Sequence, residues 1–324
     1  MPTVLITDYG FPDIATERRI IEGATYQLAT AQARTAADVI EAARRVHAEA
    51  LLVQWAPVTA EVFAALPDLR VVVRYGIGVD NVDLAAAAAH GVTACNVPDY
   101  CIDEVADHAL ALALSLLRRL PQTHARTLAG EWKITPPGHV PAFRDTTFAC
   151  AGFGRIARAV LHRAAAFGFR CAAHDPYVSD AVITAAGIKP LTRDRLFAEA
   201  GVLSLHMPLT PETKHFVGGS SLAAMRPHSI VVNTSRGGLV DTAAVAAALV
   251  AGRLGGAGLD VYETEPLASD HPLRQAPNTL LTSHTAWFSA ASVPQLQRLA
   301  AEEVVRVLRG DPPRNPVRPP SVAR

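Results

Sequence analysis

Short runs of β-branched and aliphatic residues alternate along the whole chain with alanine-rich segments of helical period, the pattern of mostly parallel sheets covered by helices on both faces. Residues 4–7, 51–55, 71–75 and 92–96 form a first series of expected strands, and 147–151, 171–175, 202–206, 230–234, 256–260 and 280–284 form a second. Between the two series the pattern predicts a helix over 102–120, with Asp103 near its start and Pro121 just past its end. Its segment His108-Ala109-Leu110-Ala111-Leu112-Ala113-Leu114 is apolar on most faces, which predicts burial between domains or subunits. A further helix is expected over 293–308, followed by a Pro/Arg-rich tail, opening with Arg309-Gly310-Asp311-Pro312-Pro313, that should be poorly ordered. Two successive α/β series predict two domains of related architecture.

Composition narrows the function. Thirty basic and thirty acidic side chains balance, half of the 324 residues are hydrophobic and 19% are charged, which excludes a disordered chain. A neutral chain has no basic excess for a phosphate backbone, and no apolar run approaches the roughly 20 residues that span a bilayer, so neither nucleic acid nor membrane is an expected partner. Met1-Pro2-Thr3-Val4-Leu5-Ile6-Thr7-Asp8 reads as a first strand rather than a signal peptide, and the expected location is cytoplasmic. Cys95, Cys101, Cys150 and Cys171 lack metal-ligand spacing, so they are expected to be reduced, mostly buried thiols with no metal.

The strand at 147–151 runs directly into Gly152-Phe153-Gly154-Arg155-Ile156-Ala157 and then into an amphipathic helix. Gly152 permits a tight turn, Gly154 lets backbone approach a pyrophosphate, and the small Ala157 allows helix to pack closely on strand. The helix N-terminus offers N–H donors and a positive dipole to the anion. Asp175, at the end of the next strand, can bind both ribose hydroxyls and would repel a 2′-phosphate, so the cofactor expected is NAD rather than NADP.

Ligands of open doubly wound sheets bind beyond the carboxyl ends of the strands. Three expected strands end there in polar groups: Asn233-Thr234-Ser235-Arg236-Gly237-Gly238, Asp260 leading to Glu263 and Glu265, and His284. Hydride transfer to a 2-keto acid builds negative charge on the carbonyl oxygen, which calls for a proton donor, a cation and exclusion of water. Histidine, with an ordinary pKa of about 6.5, suits the first role, and the planar fork of arginine suits the second. Glu263 and Glu265 are equally placed by spacing to partner His284. Gly237 and Gly238 suggest backbone kept bare for a ligand. His206 is expected to line the cofactor. In the first series, Arg74-Tyr75-Gly76-Ile77-Gly78 could form an anion-binding nest for a carboxylate or an ordinary glycine turn.

Taken together, these motifs resemble the D-isomer-specific 2-hydroxyacid dehydrogenase family, over about residues 51–308. They are joined by Asn96-Val97-Pro98, Glu104-Val105-Ala106-Asp107-His108, Ser204-Leu205-His206-Met207-Pro208-Leu209-Thr210 and the segments 233–241 and 259–266. The resemblance implies that His284 is the acid/base, Glu265 its partner and Arg236 the substrate anchor. It places the substrate carboxylate on the backbone of Ile77 and Gly78, beside Arg74 and Gly76. Asp260 would contact the nicotinamide carboxamide, and further cofactor contacts would come from Gly152, Gly154, Arg155, Ile156, Asp175, His206, Pro208, Thr213 and Thr234. It further implies two doubly wound α/β domains: a Rossmann dinucleotide-binding domain, 98–285, inserted into a flavodoxin-like substrate domain, 1–97 with 286–324. The active site would lie in the cleft between them, and the protein would be a homodimer acting on a small 2-keto or 2-hydroxy acid. His284-Thr285-Ala286-Trp287-Phe288-Ser289 and Cys95-Asn96-Val97-Pro98 look most like the branch of the C-terminal-binding proteins, so an NAD(H)-sensing corepressor-like dimer is the alternative. Two departures stand out. Ala157 replaces the commoner third glycine, a change the helix-packing position tolerates. Trp287 replaces a small residue and would give the substrate pocket a large apolar wall, favouring an apolar or thioether side chain over phosphoglycerate.

Overall fold

The computed structural model describes residues 1–319. The chain divides into two compact units, one built from residues 1–101 with the described residues from 288 onward, the other from Ile102–Trp287. The first contains β1 (Thr3–Ile6), β2 (Gln27–Thr30), β3 (Ala48–Val53), β4 (Val71–Arg74) and β5 (Thr93–Cys95), in the order β2-β1-β3-β4-β5. Every pairing is parallel, and the strand order reverses between β1 and β3, the flavodoxin-like arrangement. β1 is fully buried, as a strand covered on both faces must be, whereas the edge strand β2 is half-exposed and lacks a β-branched run. That composition explains why β2 is absent from the hydrophobic pattern.

The helix Ser292–Leu308 packs on β3, β4 and the helix Ala15–Gly23. Beyond it the expected loose tail is corrected as far as residue 317. The buried carboxylate of Glu303 accepts the N–H groups of Arg314 at 2.7 Å and Asn315 at 3.2 Å, and the Val317 N–H donates to the Ala94 carbonyl at 2.8 Å. Backbone donors that find a buried carboxylate and a sheet edge are held there. The rest of the expected tail, 320–324, lies outside the described residues.

The second unit contains β6 (Thr147–Ala151), β7 (Arg170–His174), β8 (Lys189–Pro190), β9 (Val202–Leu205), β10 (Ile230–Asn233), β11 (Gly256–Leu259) and β12 (Thr279–Leu281). They form one parallel sheet in the order β12-β11-β10-β9-β6-β7-β8. The order reverses between β6 and β9, the Rossmann switch point. The two-residue edge strand β8 escapes sequence reading as β2 does.

The apolar helix runs over Ile102–Leu117 rather than to 120, because Arg119 adopts a left-handed conformation (φ 54°) and caps the next helix, Leu120–Leu128, with Pro121 in its first turn. Its buried face is covered inside the second unit by the helix Arg155–Ala166 and by β10 and β11. Gly258 makes this possible: a Cβ there would stand 2.9 Å from Leu112 Cβ. Arg163 ties the two helices together through Asp103 at 2.7 Å and Asp107 at 2.6 Å. Among the described residues no helix is long and apolar enough to cross a membrane. Replacing Gly258 by Val should lower stability by about 1–3 kcal/mol, read as a fall in the urea midpoint; an unchanged midpoint would show that the helix can move off β11 without cost.

Candidate cofactor and acid/base site

At the end of β6 the chain turns at Gly152. Its φ of 98° requires glycine, and so does the approach of the His206 carbonyl oxygen, which would lie 2.3 Å from any Cβ at this position. Gly154 caps the helix Arg155–Ala166, and a Cβ there would meet only open space, so the room for a ligand lies over the first turn formed by Arg155 and Ile156. Ala157 is fully buried, in line with close packing of helix on sheet. Asp175 follows β7; its carboxylate accepts the N–H groups of Phe153 at 2.8 Å and Tyr177 at 2.9 Å, which fixes it beside the glycine turn.

The next strand end brings His206 alongside, its N–H donating to the Ala151 carbonyl at 2.8 Å. Nε2 of the ring lies 2.8 Å from the Ser204 hydroxyl, while the buried Nδ1 has no partner among the described residues. Burial holds this imidazole down to about 3, so it is neutral and cannot serve as an acid. Thr234 Oγ1, after β10, is likewise buried and unpartnered. Two orphaned polar atoms at the carboxyl edge of a Rossmann sheet are what a bound dinucleotide would satisfy. Thr213 shapes the loop beside it. Its hydroxyl donates to the Pro208 carbonyl at 2.8 Å and accepts the Thr210 N–H at 2.7 Å, closing the 208–213 loop.

His284 sits beyond β12 with φ 56°, a conformation that costs a residue bearing a Cβ about 1–2 kcal/mol. Asp260, buried at the end of β11, holds it there. The Asp260 carbonyl accepts the His284 N–H at 2.8 Å, and its carboxylate accepts the N–H groups of Thr285 and Ala286, each at 2.9 Å, and the Thr282 hydroxyl at 2.5 Å. The Trp287 indole N–H donates to the His284 carbonyl at 2.8 Å. Trp287 therefore braces the histidine turn as well as contributing apolar surface.

Nδ1 of His284 lies 2.8 Å from Glu265 Oε2, and Glu265 Oε1 accepts the Tyr262 N–H at 3.0 Å. Burial alone would raise the Glu265 pKa, but the hydrogen bond and charge of His284, with the Tyr262 N–H, outweigh it and hold the carboxyl below its ordinary value. Glu263 points elsewhere, to His215 Nε2 at 2.6 Å and to the Thr242 hydroxyl at 2.6 Å. The ambiguity left by their two-residue spacing is thus resolved by the fold.

Arg236 leaves the end of β10, where Asn233 Nδ2 donates to its carbonyl at 2.8 Å and one of its own guanidinium nitrogens donates to the Ser235 carbonyl at 2.7 Å. The first glycine after it serves a packing purpose. A Cβ on Gly237 would come within 1.9 Å of the Tyr262 backbone, and one on Gly238 within 2.8 Å of the Leu209 side chain. Gly237 is small so that the Tyr262 backbone can pack against it, which sets the Tyr262–Glu265 segment against β10, whereas Gly238 faces only the movable end of the Leu209 side chain. Sequence reasoning assigned no role to Ser204 or Thr282; a hydroxyl in or just after an otherwise aliphatic strand was the signal available.

In the first unit, Arg74 ends β4 and folds over Gly76, whose φ of 135° strains any residue with a side chain. Val97 N–H donates to the Gly76 carbonyl at 2.9 Å and Asn96 Nδ2 to the Ile77 carbonyl at 2.7 Å, so Gly76, Ile77 and Gly78 form a braced turn at the carboxyl edge of that sheet.

Comparison with known proteins agrees with this geometry. Residues 110–286 match the family described as D-isomer specific 2-hydroxyacid dehydrogenase, NAD binding domain. The chain is 42% identical over 266 residues to D-3-phosphoglycerate dehydrogenase of Mycobacterium tuberculosis, covering 82% of this chain and 50% of that protein. It thus spans about half the length of the mycobacterial relatives it matches. It is 36% identical over 262 residues to glyoxylate reductase of Korarchaeum cryptofilum, covering 80% and 79%. The crystal structure of TT0316 protein from Thermus thermophilus superposes with a TM-score of 0.86 at 34% identity, over 97% of this chain and 99% of that one. The second unit is therefore an NAD-binding domain, and its residues fit the dinucleotide. Replacing His284 by Ala removes the two largest influences that lower the Glu265 pKa and leaves burial opposed by the Tyr262 N–H, so the carboxyl titration followed by carbon NMR should move upward; no upward movement would mean the pair is not coupled in solution.

Proposed function

Because the chain belongs to the D-isomer-specific 2-hydroxyacid dehydrogenase family, we propose that it is a cytoplasmic enzyme interconverting a D-2-hydroxy acid and its 2-keto acid with NAD(H). The observation that carries this reading is the 2.8 Å contact of His284 Nδ1 with Glu265, on a turn clamped at the carboxyl edge of an NAD-binding sheet. With Nδ1–H directed at the carboxylate, Nε2 is the nitrogen that exchanges a proton with the substrate oxygen. The bound nicotinamide supplies or accepts the hydride.

Each remaining residue has a role in this reading. Arg236 anchors the substrate carboxylate and polarises its carbonyl through a planar fork of donors. The backbone of Ile77 and Gly78, supported by Arg74 and Gly76, gives the carboxylate a second set of donors. Gly152, Gly154, Arg155 and Ile156 hold the pyrophosphate, and Asp175 holds the ribose and disfavours NADP. His206, Pro208, Thr213 and Thr234 line the cofactor, and Asp260 orients the carboxamide end while it clamps the histidine turn. The indole of Trp287 has its N–H committed to the His284 carbonyl, so what it can present to a substrate is apolar. We accordingly favour a 2-keto acid with an apolar or thioether side chain over phosphoglycerate.

The enzyme reading takes precedence over a corepressor-like sensor because the relatives described are named as dehydrogenases and reductases. A homodimer through the second unit is part of the proposal. The helix Leu120–Leu128 buries no residue, and Leu128, Trp132 and Ile134 near it are exposed, an apolar surface that a second copy would cover.

Steady-state oxidation of NADH with glyoxylate, hydroxypyruvate, pyruvate and longer 2-keto acids, set against oxidation of D-3-phosphoglycerate with NAD, tests the reaction and its substrate together. Turnover with none of them would sink the enzyme reading. His284→Ala should reduce turnover by about 10²–10⁴-fold while NADH affinity measured by calorimetry stays nearly constant; retained turnover would remove His284 from its role. Sedimentation should show a dimer that Trp132→Glu weakens, and a monomeric wild type would overturn that part.

A further inference from the structure

We propose that His108 is a positioning residue for His284, acting through Thr282 and Asp260; the proposal rests on the acid/base reading of His284 given above. His108 lies on the helix Ile102–Leu117, six residues into it, with its side chain three-quarters buried. Its Nε2 is 3.0 Å from the Thr282 hydroxyl, which is itself 2.5 Å from Asp260 Oδ1. The direction of this chain follows from counting protons. Thr282 has one hydroxyl hydrogen, and the ionised carboxylate of Asp260 can only accept, so that hydrogen goes to Asp260. The Thr282 oxygen is then an acceptor toward His108, whose Nε2 must carry the donated proton.

The consequence reaches His284 because Asp260 has no slack. Its carboxylate is fully buried and is shared among the Thr282 hydroxyl, the N–H groups of Thr285 and Ala286 and, more distantly at 3.4 Å, the Thr285 hydroxyl, while its carbonyl holds the His284 N–H. Among the described residues the basic side chain within 4 Å of this carboxylate is that of His108, at 3.8 Å. Donation from His108 polarises the Thr282 hydroxyl toward Asp260 and fixes its rotamer, and hydrogen bonds in series strengthen one another in a low-dielectric site. Without that donor Thr282 can rotate away, and the carboxylate that keeps His284 in its left-handed conformation loses one of its donors. His108 thus links the central helix to the turn through Thr282 and Asp260.

The test uses the full chain and compares wild type with His108→Gln, His108→Leu, Thr282→Val and the His108→Leu/Thr282→Val pair. Glutamine places an N–H donor near the position of Nε2, and leucine does not. In long-range ¹H–¹⁵N spectra the His284 ring, identified by its loss in His284→Ala, should give one sharp signal set in wild type and His108→Gln and a broadened or doubled set in His108→Leu. In kinetics, His108→Leu should lower kcat about fivefold with the KM for NADH unchanged, His108→Gln should stay within about twofold of wild type, and His108→Leu should add nothing to Thr282→Val. A glutamine variant as impaired as the leucine one, losses that multiply in the pair, or a His284 ring signal indifferent to His108→Leu would each overturn the proposal. The ring spectrum reports on the turn whether or not any 2-keto acid is consumed, so absence of turnover in wild type would count against the enzyme reading alone.

Discussion

A buried carboxylate that must find donors governs the chemistry of the second unit. Asp260 ends β11 inside the protein, where an unsatisfied charge would cost several kcal/mol, and the donors it finds belong to residues 282–286. That requirement bends the chain after β12 so that His284 adopts positive φ and its ring meets Glu265. Strain at the histidine is compensated by satisfaction of the aspartate. The site is therefore rigid for a reason independent of any substrate.

The same economy appears in the glycines. Gly152 admits the His206 carbonyl, Gly237 admits the Tyr262 backbone and Gly258 admits Leu112. Each brings two segments within a distance that a Cβ would forbid, and together they set the dinucleotide turn, the glutamate segment and the central helix relative to one sheet. Parallel strands deliver the ends of β6, β9, β10, β11 and β12 to a common edge, so polar groups far apart in the chain need only short loops to meet. Unpartnered polar atoms at that edge, His206 Nδ1 and Thr234 Oγ1, mark where the protein's own hydrogen bonding stops and a ligand's would start.

Much of this was legible in the residues. The central strands of both sheets announced themselves because burial on two faces demands uninterrupted aliphatic runs, and the glycine turn with Asp175 carried its own spacing. The family resemblance directed attention to Glu265. Edge strands were illegible because half-exposed backbone places little demand on side-chain type, and the apolar helix could not be matched to β10 and β11 because its sequence cannot say which surface will cover it. Thr282 went unremarked because a threonine near a strand end has many ordinary uses.

Sequence alone determined the α/β class, the two strand series, the dinucleotide turn and the residue types available for acid/base work, since each follows from local periodicity or from short spacing. Tertiary structure decided which of two glutamates faces His284, why Gly237 is glycine, and how residues 314–317 are held by Glu303 and β5. Those are relations between segments brought together only by the sheet, and a hydrogen bond or a close approach between segments leaves no periodic trace in either one.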